Sequence, residues 1–231
     1  MDMKPDFDKA YQIANDVLLQ SSTISSIPFD PALHLKEETD IKLMKYLTAK
    51  RKYGLAVPDL GSDEALIVED SGRFIIFYNH LAYEPRKKWS ITHEMGHFYL
   101  GHNLDFKNIS EELRAKQEIE ANFFAAQLLM PDAVIWRLVE LYQIDINPSF
   151  LENRFGVSNE AASKRIETLY KQFDFKNSRK YKEDADAIVL KFGTFINSLK
   201  PEGHYSYSSF EDEEEMQKER DTWQYDRKRY R

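Results

Sequence analysis

The chain has 231 residues, of which 42% are hydrophobic, with a formal net charge of -7 and no Cys. That length and apolar content suit a mid-sized domain with its own core and exclude a disordered chain or a many-domain machine. Eight Gly and eight Pro exclude collagen-like or Pro-rich architecture, and a mean hydropathy of -0.61 without a long apolar run excludes a transmembrane helix.

The elements follow in chain order, and no internal repeat suggests a solenoid or propeller. Residues 8–19 place Ala10, Ile13, Ala14, Val17 and Leu18 at helical spacing. Ser21 to Ser26 break that pattern, and Pro28 and Pro31 predict an extended turn. A second helix is predicted over 40–52 from Ile41, Met44, Tyr46 and Leu47, stopped by Gly54 and Pro58. Two short apolar runs, 65–68 and 74–78, bracket Glu69-Asp70-Ser71-Gly72 and read as a β-hairpin. Helices are then predicted over 89–101, 107–130 and 132–142, with Pro131 starting the last of these, and Asn147-Pro148 turns the chain into a helical stretch at 149–172. Past residue 173 the composition shifts to charge and tyrosine. It includes a helical pattern at 185–199, five consecutive acids at 211–215 and four basic residues among the last five. The fold class read from this order is α+β, mostly helical, with a small β-sheet before the helix that carries the chemistry. The expected division is a domain at 1–172 and a charged, helical or partly disordered extension at 173–231.

That chemistry is His93-Glu94-Met95-Gly96-His97. Two His four residues apart lie about 40° apart around a helix and one turn up, so both imidazoles reach one ion while Glu94 stands beside it. Without Cys, only His and carboxylates remain as strong ligands. A catalytic zinc takes three protein ligands and keeps one position open. The metzincin pattern supplies the third from a His six residues after the second. His102 follows His97 by five, so it reads as a capping residue or a partner of a ligand rather than a ligand. The remaining source is the helix at 107–130. Glu118 and Asn122 share a face with the small Ala121 and Ala125, which allow close approach, while Glu120 lies on another face. Glu118 is therefore the expected third ligand, with Glu120 the alternative, and Asn122 is placed to accept a hydrogen bond from a ligand imidazole.

The motif, followed by Glu118-Ile119-Glu120-Ala121-Asn122-Phe123-Phe124-Ala125-Ala126-Gln127-Leu128-Leu129-Met130-Pro131, resembles the ImmA/IrrE family of metallo-endopeptidases over about residues 10–169. The resemblance implies a zincin-like domain in which His93, His97 and a Glu of the second motif bind Zn2+ and Glu94 is catalytic. It also implies a target among helix-turn-helix repressors of mobile elements or stress regulons. With that ligand set, zinc would acidify a water, and Glu94 would take its proton and pass it to the leaving amine. The run 74–78 is the expected partner for an extended substrate strand. Tyr78, His80, Tyr99 and His102 are unranked candidates for the oxyanion donor.

A competing reading starts from 150–169, whose Gly156 lies between two apolar helical patterns like a helix-turn-helix. The exposed side of its second helix mixes Glu160 and Glu167 with Lys164 and Lys171, which does not suit phosphates, so the pair is expected to pack within the peptidase domain. The alternative function is a DNA-binding or protein-interaction regulator with a structural zinc. The charged N-terminus, without an apolar stretch behind it, leads to an expected cytoplasmic location, with a basic protein rather than nucleic acid or membrane as partner.

Overall fold

Asp6 opens the first helix, α1 (Phe7–Gln20), by accepting a hydrogen bond from the Lys9 amide, and one face buries Ala10, Tyr11, Ala14, Val17 and Leu18. The structure is a computed structural model that describes residues 4–55, 62–105, 108–171 and 173–201. The chain divides into Met1–Leu199 and Lys200–Arg231, and the first unit is described below. The acidic run 211–215, the basic C-terminus, Pro58 and Lys107 lie outside the described residues.

Two expectations for the next stretch are corrected. Where Pro28 and Pro31 suggested an extended turn, Pro31 instead starts a helix, α2 (Pro31–Glu38), whose first turn is capped by Asp30 accepting from the Ala32 amide. Pro costs nothing there because the first amide of a helix has no intrahelical partner. The helix predicted over 40–52 is split into a strand, β1 (Lys42–Lys45), and a shorter helix, α3 (Tyr46–Tyr53). Strand pairing overrides the helical spacing of Ile41 and Met44, because β1 lies parallel to a later strand with Leu43 opposite Ile76.

The hairpin consists of β2 (Ala65–Asp70) and β3 (Arg73–Tyr78), antiparallel with Ile67 opposite Ile76. Its two-residue turn places Ser71 at φ 53° and Gly72 at φ 77°. Positive φ at both positions is what a turn matched to strand twist requires. Ile67 and Ile76 face the main core, while Phe77 and Met44 pack with Tyr46 and Ala49 of α3 on the other side. The sheet order is β1-β3-β2. β3 is thus the central strand, paired on both edges, and it cannot take up a substrate strand as expected. Among the described residues β1 and β2 are the two edge strands, and β2 is the one that meets the motif residues, through the Ile67 amide and Glu94.

The helix bearing the motif, α4 (Glu84–Tyr99), begins five residues earlier than its apolar pattern, at Glu84 with Pro85 in the first turn. It packs on α5 (Glu111–Leu129), which Ser110 caps by accepting from the Leu113 amide. There follow α6 (Asp132–Tyr142), α7 (Pro148–Phe155) and α8 (Asn159–Leu169). Gly156 at φ 68° ends α7, and Ser158 caps α8. The α7–α8 pair buries Leu151, Phe155, Ala161, Ala162 and Leu169 in the main core, which is packing within the domain. A 3-10 turn at Asp174–Asn177 leads to α9 (Arg179–Lys191) and α10 (Gly193–Ser198), which bury Ile188, Phe192 and Ile196 in the same core.

One buried polar cluster ties these helices together. Asp132 accepts from the Tyr11 hydroxyl of α1 at 2.8 Å, Gln127 Nε2 of α5 at 3.2 Å and the Tyr181 hydroxyl of α9 at 3.0 Å, and pairs with Lys176 at 3.1 Å. Arg165 of α8, also buried, donates from Nε to the Met130 carbonyl at 3.0 Å and from Nη2 to Gln127 Oε1. Burial alone would raise the Asp132 carboxyl. The charges of Arg165 and Lys176, with the Tyr11 hydroxyl, outweigh it and hold the group below the usual carboxylate range.

Candidate metal centre

The site forms where α4 and α5 come closest. Gly96 makes that approach possible, since a Cβ built there would lie 3.1 Å from Ala121 Cα, the Ala121 carbonyl oxygen and a ring carbon of Phe124. A glycine inside a helix costs about 1 kcal/mol relative to Ala, so the contact is bought at the expense of local helix stability. It brings the next turn of α5, with Glu118 and Asn122, over the His93–His97 face of α4.

His93 Nε2 and His97 Nε2 lie 3.1 Å apart. Glu118 Oε2 is 3.2 Å from the first, and its Oε1 is 3.7 Å from the second. One ligand atom from each of the three residues falls within 4.8 Å of the others. His97 is 1% exposed, and its burial, with His93 beside it, pushes the imidazolium down to about 3, so the ring is neutral at ordinary pH. Neutral imidazole is the form that binds metal. For His93, burial works against the charged form, but Glu118, Glu94 and a hydrogen bond to Asn122 outweigh it and raise the group. Glu118 is lowered, first by its hydrogen bond to His93. Two imidazole nitrogens and an ionised carboxylate directed at one point are a donor set that fits a divalent ion such as zinc.

Glu94 is buried in the next direction around α4. Its Oε2 accepts from the Ile67 amide of β2 at 2.8 Å, and burial raises its carboxyl against the pull of His93 and that amide. Antiparallel pairing alternates between inward and outward residues. Ile67 therefore directs its backbone to the open edge of β2, on the side of the metal-ligating residues. A cavity of about 410 Å3 opens there, lined by Ala65 and Leu66 of β2, Trp89, Arg114 and the three candidate ligands.

The structure thus brings His93, Glu94, His97, Glu118 and Asn122 together and leaves Glu120 out of the ligand group. Glu120 is buried and engages His102 Nε2 at 3.1 Å instead. None of Tyr78, His80, Tyr99 and His102 lines the cavity. Tyr99 bonds His34 through its hydroxyl at 2.8 Å, and His102 meets the far side of His97. Trp89, Arg114 and the β2 edge escaped the sequence reading. Arg114 stands one helical turn before Glu118, so the spacing used to choose Asn122 one turn after it would have found Arg114 as well.

A small sheet under a motif helix, with a carboxylate from the following helix facing two motif imidazoles, defines a mostly helical, zincin-like α+β domain of metallopeptidase type. Residues 49–167 match the family model described as Peptidase_M78, IrrE N-terminal-like domain, and the chain belongs to that family. No curated protein sequence matches the chain. Among the described residues, no helix is long and apolar enough to cross a membrane.

Proposed function

We propose that the protein is a zinc-dependent endopeptidase, with His93, His97 and Glu118 holding the ion and Glu94 acting as general base. The observation that carries this reading is the convergence of the three ligand atoms within 4.8 Å beside a buried, raised Glu94 at an open strand edge. Zinc bound there supplies Lewis acidity, acidifying a water and polarising a peptide carbonyl. Asn122 orients His93 through its hydrogen bond. An extended peptide pairs with the open edge of β2 through its backbone, which aligns its scissile bond over the cavity. Glu94, whose carboxyl burial raises above the usual range, takes a proton from the attacking water and delivers it to the departing amine. Arg114 also lines the cavity, where its positive charge favours a carbonyl or carboxylate of the substrate.

The target is a cytoplasmic helix-turn-helix repressor, a reading that rests on the family resemblance and on charge. A protein of net charge -7 is suited to docking on a basic DNA-binding protein. The test is incubation of wild type and Glu94→Gln with candidate repressors encoded near the gene, followed by mass spectrometry of the fragments. Wild type should cut at one or a few positions, while Glu94→Gln keeps fold and metal and leaves the repressor intact. Equal cleavage by both forms would remove Glu94 from its role. Efficient digestion of unrelated unfolded proteins without preference for a repressor would overturn the target assignment.

A further inference from the structure

Behind His97, on the side away from Glu118, stands a second pair of polar groups. His97 Nδ1 lies 3.0 Å from His102 Nδ1, and His102 Nε2 lies 3.1 Å from Glu120 Oε2. Backbone geometry builds this arrangement. Gly101 adopts φ 67° after the end of α4, and the His102 amide donates to the His97 carbonyl at 3.0 Å, which folds the chain back so that the two rings meet. The far oxygen of Glu120 accepts from the Asp6 amide at 2.5 Å and lies 3.7 Å from Lys116 Nζ. Glu120 is 6% exposed, so this carboxylate is held from both ends.

The contacts along this line of groups then order the protons between them. An ionised carboxylate only accepts, so His102 Nε2 carries hydrogen, and the neutral ring presents a lone pair at Nδ1. Two imidazole nitrogens 3.0 Å apart need one donor, so His97 carries its hydrogen on Nδ1. Its Nε2 is thereby left as a lone pair directed at His93 and Glu118. We propose that Glu120 and His102 are positioning residues, a carboxylate-imidazole relay that fixes the tautomer and ring orientation of His97 for metal binding. The inference rests on the metal reading of the site, and it explains why His102 misses the ligand spacing. Its ring addresses the back of His97 rather than the ion.

Nitrogen-15 NMR of the histidine-labelled, metal-free protein reads the tautomers directly, and His97 should be protonated on Nδ1 and His102 on Nε2. Zinc affinity, measured by competition with a chromophoric chelator, should fall about ten- to hundredfold in His102→Leu. His102→Gln, whose amide again offers one acceptor and one donor, should recover much of that loss, which a purely space-filling role would not do. Affinity of His102→Leu within twofold of wild type, or a wild-type His97 protonated on Nε2, would overturn the relay. If His102→Leu does not fold, the tautomers of the wild type still decide. The two readings fail differently: a wild type that binds zinc no better than His93→Ala defeats the metal reading and this inference with it, whereas normal wild-type affinity with an indifferent His102→Leu defeats the relay alone.

Discussion

Adding a single methyl group at Gly96 sets two effects against each other. Alanine removes the helix penalty of glycine and so favours α4 by about 1 kcal/mol. The new Cβ, however, meets Ala121 Cα, the Ala121 carbonyl oxygen and Phe124 Cδ1, each at 3.1 Å. Two of those three atoms are backbone, so α5 must shift by a few tenths of an ångström. Overpacking of this kind costs about 1–3 kcal/mol, which puts the net effect of Gly96→Ala between about 0 and 2 kcal/mol destabilising. Gly96→Val adds two more methyl groups at the same surface and forfeits most of the propensity gain, so it should exceed about 2 kcal/mol. The metal site should suffer more than the fold. Glu118 rides on α5 while both His ride on α4, so the same shift separates the carboxylate from the imidazoles. Urea midpoints and zinc competition on Gly96→Ala should show a small stability change with about tenfold weaker zinc binding. An alanine variant more stable by about 1 kcal/mol with unchanged zinc affinity would show that the close approach has no role.

Three further outcomes are expected. Chelation should lower the thermal midpoint of wild type, because zinc at 1,000 times its dissociation constant adds about 4.1 kcal/mol, and His93→Ala or His97→Ala should abolish that difference in calorimetry. Asp132→Ala strands the buried Arg165 guanidinium without its counter-charge and should cost about 3–5 kcal/mol in urea unfolding, and a loss below about 1 kcal/mol would show that water replaces the carboxylate. Stability should also fall with acid. Burial would raise Glu38, but hydrogen bonds from Ser22, Ser21 and Thr23 hold it at about 2, and Asp132 is likewise lowered. Both favour the fold above their unfolded values near 4, and that contribution disappears as pH falls from about 4.5 toward 2. Denaturation midpoints across that window should decline less steeply in Glu38→Gln than in wild type.

The parts of the site that could be read from sequence are those set by a single helix. The spacing of His93, Glu94 and His97 fixes their relative directions wherever the helix is placed, and Glu118 follows from the face it shares with Ala121. What could not be read depends on how separate elements meet. Nothing local marks β3 rather than β2 as the central strand, so the run 74–78 looked available for a substrate. The four residues of β1 are helical in spacing and extended only because β3 pairs with them. Pro31 carried a readable signal, an Asp cap followed by Pro in the first turn, which the nearby Pro28 obscured. The spacing puts Glu120 on another face of α5, but its burial against His102 depends on the turn at Gly101, where the chain doubles back.

The buried carboxylate of Asp132 bears on what counts as a self-sufficient piece of this protein. The family match runs from 49 to 167, yet Tyr11 lies before that stretch, and Lys176 and Tyr181 lie after it. A chain trimmed to the matched stretch would keep His93, His97 and Glu118 and lose three of the groups that face Asp132. It would also lose Phe7, whose ring packs 5.0 Å from Phe123 on α5, and the Asp6 amide that holds Glu120. The recognisable stretch therefore contains the reactive groups without several of the contacts made to them and to the helices that carry them. The side chains gathered around this one aspartate run from α1 to α9, past the motif on both sides.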